Sequence, residues 1–368
     1  MRDMLKNVVL MICSLALTLV GLEVALRLVD GEEVLTKTNF VARKLSLLSS
    51  SYPTAYDPLM GYIPQPDHRG EGELWGVPIS IDSRGLRLAA ADAPELERYD
   101  ILAMGDSFTF GDEVGDGDTW PAHLSTLTNK TVVNGGVFGY GLDQVLLRTE
   151  QLVPALEPEI VVMSVLYGDM RRSQLAQRTG VEKPYFSIEN DALVLNNVPP
   201  SRYRPRLEQI GRLRTILGHS YLVDFTMRRV GQAAWWYADG SPEVFAHNQL
   251  LDVSCKMAER FAQFATAQDF QPLIVIQYFL RVFVDPQGEK SIMEMNGIRQ
   301  FMACAEAAGL PVLDTFPMLQ QAFDNSVDAG QFVAIYVRGG HMSSEGNRVI
   351  AQLIAERLAE EGWLEPQG

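Results

Sequence analysis

Ile101-Leu102-Ala103-Met104-Gly105-Asp106-Ser107-Phe108-Thr109-Phe110-Gly111 is the stretch on which the fold turns. A short apolar run bounded by turn formers reads as a buried strand. Gly-Asp-Ser is turn chemistry that lets the chain reverse into a following helix. The Ser107 hydroxyl is then presented at the carboxyl edge of a sheet, where open α/β folds place their sites, and so is a candidate nucleophile. A strand-to-helix turn with a capping Ser or Thr is the plain structural alternative.

Outward from this stretch, apolar runs and helical patterns alternate. A helix near residues 120–127 is followed by a strand at 131–133, a helix at 142–156 and a strongly apolar strand at 160–166. Strands at 272–278 and 311–316 follow, each preceded by a helical segment, and a helical pattern at 349–360 closes the chain. Such alternation predicts a parallel sheet covered on both faces. Residues 171–250 interrupt it between the third and fourth strands, with a possible hairpin at 185–195. Insertions at a sheet's carboxyl edge commonly form caps. Residues 31–98 are rich in turn formers, with an alternating edge-strand pattern at 77–81. The predicted organisation is an anchor at 1–30, an accessory β-rich extension at 31–98, and an α/β domain at 99–368 carrying the insert 171–250.

At 368 residues and 47% hydrophobic content the chain can bury a proper core. A net charge of -15 argues against nucleic acid or an anionic membrane surface as partner of the whole chain. The charge is uneven: residues 171–230 hold eleven Lys or Arg, among them Arg202, Arg204 and Arg206, against five acids. That cluster faces whatever enters the site, or is a solvated basic face.

After Arg2 and Lys6 an uncharged apolar run extends over residues 8–22 and, with its flanks, approaches the roughly 20 residues that cross a bilayer. No small-x-small cleavage site follows, which favours an uncleaved anchor. Arg2 and Lys6 place the amino end in the cytoplasm and the rest of the chain outside it. Three cysteines make neither a disulfide framework nor a zinc spacing. Cys255 and Cys304 read as buried free thiols, with pairing open in an oxidising compartment. There is no metal-ligand spacing and no sign of a cofactor.

Two more segments carry chemistry. Asn134-Gly135-Gly136-Val137-Phe138-Gly139-Tyr140-Gly141 follows a strand, and glycines there let a backbone N–H approach a developing oxyanion. His341-Met342-Ser343-Ser344-Glu345-Gly346-Asn347 opens the terminal helix, from which an imidazole can reach across the sheet edge to a nucleophile. His68, His123, His219 and His247 read as surface or packing residues.

Together, in order and spacing, these blocks resemble the SGNH/GDSL hydrolase superfamily in its membrane-anchored, extracytoplasmic form, over about residues 99–360. The resemblance implies a three-layer α/β/α flavodoxin-like fold with a parallel sheet, an N-terminal transmembrane helix and an inserted cap. It implies Ser107 as nucleophile, His341 as general base, and the Ser107 and Gly139 amides as oxyanion donors. Two family residues are replaced. The usual Gly-Asn-Asp is Tyr167-Gly168-Asp169, so a side-chain oxyanion donor is missing, a loss of about a hundredfold to a thousandfold in rate. The Asp usually three residues before the His is Arg338. The imidazole is then oriented by a backbone carbonyl, by Asp169 or Asp314, or not at all.

The expected function is a serine esterase acting on O-acyl groups of envelope polysaccharide or on lipid-linked esters, attached to the inner membrane and facing the periplasm. An alcohol acceptor in place of water would make it an O-acyltransferase. The alternative is a catalytically impaired envelope protein that binds acidic glycan.

Overall fold

The computed structural model describes residues 2–35, 37–42, 54–72, 76–178, 181–201, 210–236, 243–328, 335–337 and 340–364; Arg202, Arg204, Arg206 and Arg338 lie outside them. The chain divides into two compact units, residues 1–50 with 204–242 and residues 51–203 with 243–368.

In the first unit, helix α1 (Arg2–Val29) is long and apolar enough over Met4–Val29 to cross a membrane. Its last turns are polar and engaged. The Glu23 carboxylate accepts from Ser220 Oγ and from the Tyr221 and Leu222 amides at 2.7–2.8 Å, capping the helix Tyr221–Arg229 from outside. Arg27, 5% exposed, donates to Glu23 at 2.7 Å and to the Glu33 and His219 carbonyls at 2.9 Å. A buried guanidinium is tolerated only when its donors are met in this way.

The second unit is built on one parallel sheet of β1 (Ile101–Met104), β2 (Val132–Asn134), β3 (Ile160–Val165), β4 (Gln271–Ile276) and β5 (Val312–Asp314), in the order β5-β4-β3-β1-β2. Register pairs Ala103 with Asn134 on one side and with Val162 on the other. This doubly wound order reverses between β1 and β3, and the carboxyl ends of the strands flanking that switch point define where a site forms. β1 and β3 are buried throughout, as their unbroken apolar sequences require when both faces are covered. Helix α2 (Ser107–Phe110) follows β1; α3 (Trp120–Thr128) packs on the terminal helix α8 (Ser344–Glu360). Helices α4 (Leu142–Leu156), α6 (Leu250–Gln268) and α7 (Glu289–Ala307) pack in a row, and α5 (Tyr167–Arg172) follows β3. Right-handed crossovers place the α3–α8 pair and this row on opposite faces.

Cys255 of α6 and Cys304 of α7 are joined by a disulfide, Cα atoms 5.3 Å apart. This corrects the expectation of free thiols: the two crossover helices lie side by side, so 49 residues of sequence separation become one bridging distance. Within the 171–250 stretch, Leu175–Arg178 pairs with Val181–Glu182 and Val244–Phe245, and Tyr185–Glu189 forms a hairpin with Ala192–Asn196. The extension before residue 99 contributes hairpins Thr54–Asp57 with Gly61–Pro64 and Arg69–Gly72 with Val77–Ser80.

Candidate active site

β1 ends at Met104 and the chain turns through Gly105, where a Cβ would collide with Thr109 Oγ1. Asp106 caps α2, its Oδ1 accepting the Phe108 amide at 2.9 Å. Ser107 is therefore the first residue of a single helical turn at the sheet's carboxyl edge, 8% exposed. Gly111 closes that turn in a left-handed conformation, φ +88°.

The glycine block folds onto this turn. Asn134 Nδ2 donates to Thr109 O at 2.7 Å, the Val137 amide donates to Gly105 O at 3.1 Å, and a Cβ at Gly136 would stand 2.8 Å from Thr109 C. Only a glycine permits that approach, which is why the run is glycine-rich. Gly139, at φ +74°, has its carbonyl held by Arg178 Nη1 at 2.9 Å. Among the described residues, neither the Gly139 amide nor the Ser107 amide donates to a protein acceptor.

The terminal block arrives from the other side. Ser343 caps α8 and accepts the Gly346 amide at 3.1 Å; Asn347 ties α8 to α3 by accepting the Trp120 amide at 3.1 Å. A Cβ at Gly346 would strike Ile335 O, so the glycine of this block serves close packing. His341 Nε2 lies 3.1 Å from Ser107 Oγ, and its ring stacks at a tilt on Phe108 with centroids 5.3 Å apart. The two segments thus meet within hydrogen-bonding distance although 234 residues separate them.

The carboxylate beside His341 comes from a residue the sequence reading missed. Glu113 Oε1 lies 3.3 Å from His341 Nδ1, and Asp112 Oδ2 lies 3.6 Å from Nε2. Glu113 has a left-handed backbone, φ +70°, a conformation disfavoured for a side-chain-bearing residue and common where function constrains the chain. Its loop is braced by Arg87, fully buried, which donates to the Phe110, Gly111 and Val114 carbonyls at 2.7 Å and to Asp116 at 3.2 Å. The only sequence signal was two acids, Asp112 and Glu113, directly after the Ser107 turn. Asp169 and Asp314 do not take the orienting place. Asp169, fully buried, accepts the Leu166 amide at 2.8 Å and pairs with Arg172. Asp314 Oδ1 accepts from Tyr278 Oη at 2.7 Å and the Phe316 amide at 3.0 Å.

Arg172 links the Ser107 turn to the glycine block, donating from Nε to Tyr140 O and from Nη2 to Asp106 Oδ2, each at 2.6 Å, and also to Asp169. Burial, with Asp106 beside it, pushes the Asp169 carboxyl well above its ordinary range. The extension also reaches the glycine block: Tyr62 Oη donates to Phe138 O at 2.7 Å, and Tyr140 Oη donates to Tyr62 O.

No family model matches this chain, and no curated protein matches it. Solved structures similar to it include one described as a G-D-S-L family lipolytic protein from Desulfitobacterium hafniense DCB-2, with 16% identity over 70% of this chain and 97% of that one, TM-score 0.35. An acetyl xylan esterase, AlAXEase, matches at 12% identity over 70% and 98%, TM-score 0.42. The acetylxylan esterase Axe2 from Geobacillus stearothermophilus matches at 15% identity over 73% and 96%, TM-score 0.39.

Proposed function

We propose that this chain is a membrane-anchored serine ester hydrolase in which Ser107 is the nucleophile, His341 the general base and Glu113 the carboxylate that positions it. The observation that carries the reading is the line from Ser107 Oγ to His341 Nε2 at 3.1 Å and from Nδ1 to Glu113 at 3.3 Å. With Nδ1–H donating to Glu113, Nε2 is left as the acceptor facing the hydroxyl. Ser107 Oγ attacks the ester carbonyl carbon as its proton passes to His341, and the carbonyl oxygen takes the negative charge. Collapse expels the alcohol, which receives that proton. Water, deprotonated by His341, then releases the acid from the acyl-enzyme. The unengaged Ser107 and Gly139 amides support a role as oxyanion donors.

Two features support an extracytoplasmic, tethered site. The Cys255–Cys304 bridge belongs in an oxidising compartment. Removal of α1 as a signal peptide would take away Glu23 and Arg27, whose polar contacts complete the first unit. O-acyl groups on envelope polysaccharide and lipid-linked esters are the substrates such a site can reach.

The test uses the full chain in detergent with p-nitrophenyl acetate, beside Ser107→Ala and His341→Ala. Turnover and fluorophosphonate labelling that both variants abolish are expected; equal background from all three proteins would leave only a binding role. Membrane-bound protein should retain its amino terminus on sequencing, and a start beyond Arg27 would refute the anchor.

A further inference from the structure

The absent asparagine at Gly168 leaves a position that is already occupied. A Cβ on Gly168 would stand 3.2 Å from Arg172 Nη1 and 2.9 Å from the Phe279 ring. Arg172 is 8% exposed, and two of its three guanidinium nitrogens are committed to Tyr140, Asp106 and Asp169. Nη1 has no protein acceptor among the described residues. The guanidinium is held beside the Ser107 turn and the glycine block. The Asp106 oxygen that accepts from Nη2 lies 3.3 Å from Ser107 Oγ, so one carboxylate oxygen separates guanidinium and nucleophile. The carbonyl that accepts from Nε is that of Tyr140, next to Gly139.

We infer that Arg172 Nη1 is an oxyanion donor, standing in for the side-chain amide that the Gly168 position lacks; the inference rests on the acyl-transfer reading above. As Ser107 Oγ bonds to the carbonyl carbon and its proton moves to His341, the C=O π pair becomes the oxyanion that Nη1–H and the Ser107 and Gly139 amides receive. When the C–O bond to the alcohol breaks, the pair returns and the donor is free again. A charged donor is stronger than an amide. Asp106, Asp169 and Tyr140 fix its direction in advance, the preorganisation on which such stabilisation depends.

The test is p-nitrophenyl acetate hydrolysis by the full chain in detergent, with folding of each variant checked by thermal melting. Arg172→Met is expected to lower kcat about a hundredfold to a thousandfold with KM within threefold. Gly168→Asn alone gains nothing, because Nη1 holds the place and already supplies the donor, whereas Gly168→Asn combined with Arg172→Met, in which only the tip of the Phe279 ring has to shift, recovers at least tenfold in kcat over Arg172→Met. A merely structural arginine would not be rescued by an amide at another position. If Arg172→Met does not fold, Arg172→Lys, which keeps a cation between the two aspartates, decides: a tenfold or larger fall in kcat at unchanged KM supports the assignment, and anything smaller overturns it. Folded Arg172→Met with kcat near wild type, or a loss confined to KM, overturns it too while leaving Ser107 and His341 in place. A wild-type chain without Ser107-dependent turnover would instead overturn the catalytic reading as a whole.

Discussion

Replacing Glu113 by Gln keeps the size of the side chain and an acceptor for His341 Nδ1–H but removes the charge. Opposite charges 3.3 Å apart attract by about 5 kcal/mol at an effective dielectric near 20, which sets an upper bound on what the carboxylate contributes once His341 has taken the serine proton. Both partners keep some water contact, with 22% and 15% of their side-chain surface exposed, so roughly half of that survives screening. About 2.5 kcal/mol then separates the variant from the parent in the transition state, or ~70-fold in rate. The assay is steady-state hydrolysis of p-nitrophenyl acetate by the full chain in detergent: kcat should fall by this factor in Glu113→Gln with KM unchanged, and Glu113→Asp should lie between. Introduced on top of His341→Ala, the same change should cost nothing further, because the carboxylate acts only through the imidazole. A Glu113→Gln kcat within threefold of the parent would refute the positioning role.

Two further outcomes follow from the packing. Replacing Cys255 and Cys304 by Ser opens a loop closed over 49 residues, which by chain entropy costs about 4 kcal/mol; the melting temperature should drop by roughly 10 °C, and a shift under about 2 °C would show that the thiols do not bridge. Burial pushes the Tyr62 phenol up to about 12 against the pull of Arg178 and Arg172. In the unfolded chain the phenol ionises near its ordinary value of 10.0, so stability present below that pH is lost as pH rises toward 12. The side chain keeps some exposure, which trims the effect to roughly 2 kcal/mol; denaturant titrations at pH 9 and 11.5 should show Tyr62→Phe losing up to about that much less than the parent, and equal losses would count against the buried phenol.

The strand-turn-helix at Ser107, the glycine loop after β2 and the His341 block were legible because each is local: a few adjacent residues with the right turn chemistry and apolar flanks specify a conformation whatever surrounds them. The parallel sheet was legible for a similar reason, since its buried strands are continuous apolar runs between helical patterns. Glu113, Arg172 and the Cys255–Cys304 bridge were not, because each acquires its meaning from a neighbour distant in sequence. An acid on a left-handed turn resembles a surface loop until Arg87 braces that loop toward His341. An arginine in an apparently basic insert resembles a solvated charge until β1, the glycine loop and α5 close around its guanidinium. Local sequence thus determined which hydroxyl and which imidazole stand at the edge of the sheet. The choice of partners for them was made by the tertiary fold, because orientation and charge compensation depend on distances across the sheet edge that residue spacing along the chain does not encode.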